Sequence, residues 1–99
     1  MKFLIIMHPE PGADLARIGP VLPAEVKHAW EMYKSGVARE LYMRGDGKGA
    51  VLVLECADAA EAERQAGGLP LVKAGLARLE ILALAPFAPF ESLFAKTPG

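Results

Sequence analysis

The chain carries two histidines, one cysteine and a scatter of acids and arginines on strand-like runs, and any chemistry must come from these. His8 ends an apolar run and stands before Pro9-Glu10-Pro11, a loop that would form a pocket rim. A neutral imidazole there could shuttle a proton near neutral pH. It could equally be a strand-end ring bonded to loop backbone. Glu55 and Glu80 lie on strand-like runs, and either could act as a base if desolvation raised its pKa. The plainer reading puts them in solvent or in pairs with Arg78 or Arg39. The planar fork of Arg39 could hold a substrate carboxylate, or make a salt bridge between subunits. Tyr42 could orient a ligand or pack across strands. His8 and Glu55 are therefore the catalytic candidates, with Arg39 and Tyr42 the substrate-binding ones. His28 reads as a surface residue and Cys56 as a small buried one.

Several function classes fall away on composition. A lone Cys56 excludes an internal disulfide and every cysteine-cluster metal site. There is no Ser-His-Asp order, no His/carboxylate metal spacing, and no glycine loop at a strand-to-helix junction that could cradle phosphate. No metal or cofactor is expected. A net charge of −1 with both signs scattered leaves no electrostatic footprint for nucleic acid. No run approaches the roughly 18 apolar residues of a membrane span. Lys2 to Met7 is too short for the core of a signal peptide. The expectation is a cytoplasmic protein without membrane or nucleic-acid partners.

The elements that must position these residues are legible in order. Lys2 to His8 is a continuous apolar run closed by prolines, a strand apolar on both faces. The segment from Pro9 to Pro20 reads as a loop with one helical turn at Asp14 to Ile18. Pro23 opens a helix that runs to Lys34 and stops at Gly36. Its stripe Val26, Ala29, Trp30 and Tyr33 is expected to face the core, with Trp30 alone contributing about 2–3 kcal/mol. Val37 to Cys56 is a hairpin around Arg44-Gly45-Asp46-Gly47-Lys48-Gly49, where Asp-Gly tolerates the positive φ of a tight turn. Its second strand, Ala50 to Leu54, is apolar on both faces and so central. In its first strand, parity sets Val37, Arg39, Leu41 and Met43 against Ala38, Glu40, Tyr42 and Arg44.

Asp58 to Gln65 reads as a second helix with Asp58 and Glu61 in a capping-box spacing. Leu69 to Gly75 is a compact apolar turn, and Arg78 to Ala85 a last strand. Phe87, Phe90, Leu93 and Phe94 follow in a tail from residue 86 to 99. The order strand, helix, strand, strand, helix, strand predicts a single α+β domain over residues 1–99. It is a ferredoxin-like split βαβ (βαββαβ) with an antiparallel sheet in the order 4-1-3-2. Helices cover one face of such a sheet. The other face is also apolar here, and 53% apolar content is high for a small monomer. The same face of a second chain would cover it, which makes a dimeric α+β barrel with the aromatic tail packed on the partner.

Gly36-Val37-Ala38-Arg39-Glu40-Leu41-Tyr42, the hairpin, the strand ending Val53-Leu54-Glu55, and Leu69-Pro70-Leu71 together resemble muconolactone isomerase and its relatives. The resemblance runs from about Glu25 to Ala85, and Arg39 matches an arginine of the family motif. Ala38 and Glu40 stand where the family has aromatic and histidine residues, and there are extra residues around Val72 to Gly75. The resemblance implies the dimeric barrel, a homodimer or larger homo-oligomer, and an isomerase that shifts a proton on a small carboxylate-bearing lactone without metal or organic cofactor. A ligand of that kind would sit between sheet and helices. Two alternatives remain: a non-catalytic ligand-binding or assembly module, and a cofactor-free monooxygenase of the same barrel superfamily. The classes differ in whether an acid/base and an anion anchor converge on one cavity. Parity places Arg39 with Val37 and Leu41, and His8 with Leu4 and Ile6, without saying whether these faces coincide.

Overall fold

A computed structural model of the chain describes residues 1–95. Strand β1 (Lys2–Pro9) leads into a one-turn helix α1 (Leu15–Ile18) and a 3-10 turn, Gly19–Val21. Helix α2 (Leu22–Lys34) follows, then the hairpin β2 (Ala38–Met43) and β3 (Ala50–Glu55). Helix α3 (Ala59–Gly67), one-turn helix α4 (Pro70–Lys73) and strand β4 (Ala77–Leu84) complete the domain. A 3-10 segment, Ala88–Leu93, ends the described chain. The four strands form one antiparallel sheet in the order β2-β3-β1-β4, the expected order read from the opposite edge. The fold is the ferredoxin-like α+β arrangement. Of the tail expected over 86–99, residues 96–99 lie outside the described residues.

Local chemistry accounts for the ends of the elements. Asp14 accepts from the Arg17 amide and caps α1. Asp58 accepts from the Glu61 amide at 2.8 Å, while the Glu61 carboxylate accepts from the Ala57 amide at 2.6 Å. That reciprocal pair is a capping box shifted by one residue. The apolar turn after Leu69 closes into α4, with Pro70 in its first turn, where no amide is needed.

Only one face of the sheet is covered. Phe3, Ile5, Leu52, Leu54, Ala62, Ala66 and Leu69 form the core between sheet and helices, and none is more than 2% exposed. The alternate residues, Leu4, Ile6, Val51 and Val53, lie on the opposite, open face.

Helix α2 departs from expectation. Its hydropathy stripe does not enter the core: Val26, Trp30 and Tyr33 are 64%, 57% and 52% exposed. The face turned inward is Glu25, His28, Ala29 and Met32, also spaced i, i+3, i+4, i+7, with only Met32 fully buried. Two interactions explain the rotation. The Glu25 carboxylate accepts from the Leu71 amide at 2.9 Å, satisfying a free donor in the first turn of α4. His28 lies against Gly68, where a β-carbon would come within 3.4 Å of the imidazole. Capping and close packing have overridden the hydrophobic pattern.

Strand β2 also departs from simple alternation. A register shift between Ala38 and Glu40 leaves Arg39 as the extra residue of a bulge. Ala38 is buried against the core, and Leu41 pairs with the core residue Leu52. Glu40 and Tyr42 pair with Val53 and Val51, and so face the open side.

Candidate functional site

Polar groups converge at one end of the open face. His8 pairs in register with Arg78 of β4, and Ile6 with Glu80. The His8 Nε2 is 3.1 Å from Glu80 Oε1, a cross-strand diagonal contact. From the other side, Arg44 Nη1 lies 3.2 Å from His8 Nδ1 and donates to the Met7 carbonyl at 3.0 Å. Arg44 Nη2 binds Asp46 Oδ2 at 2.7 Å. The His8 and Arg44 side chains are 23% and 21% exposed, whereas Glu80 and Asp46 are about half exposed. The basic side chains are thus held while their acidic partners border solvent.

The hairpin turn makes this contact possible. Asp46 accepts from the Lys48 amide at 2.9 Å, an Asx turn that fixes the loop. Gly49 has φ of +123° and sits so close to β1 that a β-carbon would be 2.8 Å from the Met7 carbonyl oxygen. Only glycine lets the turn lie against the end of β1 and deliver Arg44 to His8.

Donor arithmetic fixes the proton on the ring. Arginine has only donors, so Nδ1 of His8 must present its lone pair to Arg44. The proton of the neutral ring is then on Nε2, directed at Glu80. The arrangement is an imidazole held between a carboxylate and a guanidinium, groups of the types that acid/base chemistry on an anion uses.

Tyr42 shares the open face with this cluster. The register Tyr42↔Val51, Val51↔Ile6, Ile6↔Glu80 places it in one row across the sheet. Three strand spacings, about 14 Å, separate its strand from that of Glu80, with an apolar floor between. The Tyr42 hydroxyl donates to Glu40 Oε1 at 2.8 Å. That hydrogen bond and the charge of Glu40 raise the phenol above its ordinary value, so it stays a donor at neutral pH. Asp46 is held below the usual carboxylate range, chiefly by the hydrogen bond from the Lys48 amide; partial desolvation opposes this, and the Arg44 guanidinium adds to the lowering. Burial pushes the Cys56 thiol up, which makes it a poor nucleophile.

The other two candidates lie elsewhere. Arg39 is exposed on the bulge, and its Nε donates to the Gly36 carbonyl at 2.6 Å. Glu55 is on the open face but at its far end, opposite Lys2. His8 is six residue steps along β1 from Lys2, about 20 Å at the usual strand rise. There Glu55 Oε1 is 3.6 Å from the Met1 amino group, and its Oε2 is buried without a hydrogen-bond partner. His8 and Tyr42 therefore share a face and an end; Arg39 and Glu55 do not join them within one chain. The open face, not the space between sheet and helices, carries the converging polar groups.

Two members of the cluster, Arg44 and Asp46, escape a reading of the sequence that treats them only as turn residues. The available signal is parity, since Arg44 alternates with Glu40 and Tyr42 and stands just past the end of β2, where the hairpin turn begins. Among the described residues no group of three or more His, Cys, Asp or Glu could hold a metal ion. No helix among them is long and apolar enough to cross a membrane.

No protein-family model and no curated protein sequence matches the chain. Solved structures do. A 5-chloro-2-hydroxyhydroquinone dehydrochlorinase from Burkholderia phenoliruptrix AC1100, in complex with 2,5-dihydroxybenzoquinone, superposes with a TM-score of 0.69 at 21% identity. That match covers 86% of this chain and 94% of the other. A muconolactone isomerase superposes with a TM-score of 0.68 at 20% identity, over 88% of this chain and 93% of that one. Both belong to the dimeric α+β barrel superfamily, and the likeness at these identities is one of fold.

Proposed function

We propose that this chain is a cofactor-independent enzyme of the isomerase type, moving a proton on a small carboxylate-bearing or lactone substrate bound over the open sheet face. The observation that carries the reading is His8 held between the Glu80 carboxylate and the Arg44 guanidinium at the end of an apolar floor. The fold neighbours lend support through their names, an isomerase of a lactone and a dehydrochlorinase of a hydroxylated ring. In this reading Arg44 takes the anchoring role first expected of Arg39, and Glu80 the part first expected of Glu55. Tyr42 orients the ligand from the far side of the same row.

The proposed sequence of events is short. A substrate carboxylate displaces Asp46 from Nη2 of Arg44 and draws Nη1 away from His8. The freed Nδ1 lone pair accepts a proton from the substrate carbon, while Glu80 holds the Nε2 proton and the new positive charge. Nδ1 then returns its proton to a different carbon, and the product leaves with the enzyme unchanged. The chemistry asks for one acid/base group and one anion anchor. Such a site works best dry, which a second copy over the open face would provide. A homodimer or larger homo-oligomer acting in the cytoplasm, with the aromatic tail on a neighbouring subunit, is part of the same proposal.

A second reading has its own support: each polar group of the cluster already has a partner within the chain, as expected of an assembly or ligand-binding module. Deuterium incorporation from solvent separates the two. A panel of small unsaturated lactones and aromatic carboxylates is incubated in D2O with the parent and with His8→Ala. Incorporation into any of them by the parent and its loss in His8→Ala supports the enzyme. If no carboxylate binds the parent and Arg44→Ala dissociates the oligomer, the module reading wins.

A further inference from the structure

The outward face of α2 and the C-terminal arm are both more apolar than solvent exposure favours. Val26, Trp30 and Tyr33, with the half-buried Ala29 at the margin of the inward face and Leu41 of the edge strand β2, line an open apolar groove. The Trp30 and Tyr33 rings stack at a tilt, 5.9 Å between centroids. The arm presents Phe87, Phe90, Leu93 and Phe94, each more than 60% exposed. Phe87 and Phe90 already form an edge-to-face pair at 4.8 Å. Exposed patches of this kind mark contact surfaces.

We infer that the groove on α2 and β2 is the dock for the aromatic arm of a second copy of this chain. The topology argues for the second copy. The arm leaves β4, the sheet edge opposite β2, and departs from the body. The long axis of the molecule is 68 Å against 28 and 20 Å, and the radius of gyration is 17.0 Å. A compact chain of this length has a radius of gyration of about 13 Å. To reach its own groove the arm would have to reverse and cross the whole layer. Projecting outward, it meets a neighbour instead, and reciprocal exchange about a two-fold axis closes the assembly with no free end. Charge agrees: Glu91 is the only charged residue between Pro86 and Ala95, and the exposed Lys27 lies three before Trp30 on α2, whereas Lys34, four after it, is already 3.8 Å from the Glu31 carboxylate. This inference rests on the self-association proposed above and specifies which surface receives the arm.

Trp30 is the only tryptophan, so its fluorescence reads the groove directly. The test compares the parent with a Phe87→Glu/Phe90→Glu double variant, with masses measured by light scattering on the same samples. Docking predicts that the double variant shifts Trp30 emission to the red and makes it several-fold easier to quench with acrylamide. The double variant is then co-refolded with an excess of Trp30→Phe chains, whose arms are intact and whose grooves are dark. Recovery of the blue-shifted, protected emission shows an arm delivered from another chain. Identical emission from parent and double variant overturns the docking while a dimeric mass leaves the sheet-paired assembly standing. A shift that co-refolding does not restore overturns the second copy as the source. A monomeric parent removes the underlying self-association itself.

Discussion

Val53→Lys tests the open face at its centre. Val53 lies between Leu4 of β1 and Glu40 of β2, and its neighbours Leu52 and Leu54 point the other way into the core. Within one chain the substitution therefore touches no core residue, and the monomer should lose less than about 1 kcal/mol, the span of strand propensity. In a face-to-face dimer the same position is buried. Losing half of a valine's burial costs about 1 kcal/mol, given roughly 2 for the whole side chain. Burying the ammonium adds about 3 kcal/mol even with the Glu40 carboxylate across from it, because desolvating an ion costs several kcal/mol that a single partner does not fully offset. Symmetry doubles the sum to about 8 kcal/mol, or about 10⁵- to 10⁶-fold in the dimer dissociation constant. Size-exclusion chromatography with light scattering, over micromolar concentrations, should show the parent as a dimer or larger and Val53→Lys as a folded monomer by circular dichroism. A variant that keeps the parent's mass would refute the open face as the interface. A variant that unfolds would refute the orientation assigned to Val53.

The remaining predictions concern the polar end. His8→Gln should lower turnover of a responsive substrate by about 10²- to 10⁴-fold with little change in its affinity, read by steady-state kinetics. Arg44→Ala should weaken carboxylate binding by about 2–3 kcal/mol, about 30- to 150-fold, in calorimetric titration, while Arg39→Ala leaves it near the parent value. Asp46 titrates below its ordinary value when folded, so its contribution to stability is present above the unfolded value and lost as pH falls through the lower, folded one. Asp46→Asn should accordingly flatten the acid limb of the melting temperature against pH, and an unchanged limb would place that loss elsewhere.

Much of the fold is legible because its signals are local and mutually consistent. Two strands apolar on both parities, an Asp-Gly turn between strand runs and a capping-box spacing after Asp58 each follow from short-range chemistry, and right-handed crossovers then leave one sheet order. Where the reading fails, a longer-range interaction intervenes. Hydropathy alone turns Trp30 inward, but a hydrogen bond from Leu71, 46 residues from Glu25 along the chain, turns α2 the other way. Alternation alone groups Arg39 with Leu41, until a bulge adds a residue and separates them. His8 and Tyr42 are visible as chemical candidates from residue type and strand position. Arg44 is not, because its role depends on Gly49 bringing a turn against a strand more than forty residues earlier.

In the proposed enzyme, assembly and chemistry meet on the same surface, and electrostatics says why that matters. Two unit charges 4 Å apart interact by about 1 kcal/mol in water and about 4 kcal/mol at the effective dielectric of a partly buried site. The His8–Glu80 contact is shorter still, 3.1 Å, yet Glu80 is half exposed in the single chain. In the single chain that contact is therefore open to solvent screening. A second sheet over Leu4, Ile6, Val51 and Val53 removes that water and strengthens both the Glu80 contact and the pull of Arg44 on a substrate anion. An apolar face that is a liability to a monomer becomes the dielectric wall of the site in a dimer. The same reasoning separates the arm from the chemistry: it leaves at the Lys2 end of the sheet, away from His8, and its dock lies on α2, behind the sheet. Removing the aromatic contacts should therefore loosen the assembly without touching the acid/base pair, whereas a charge at Val53 should disable both.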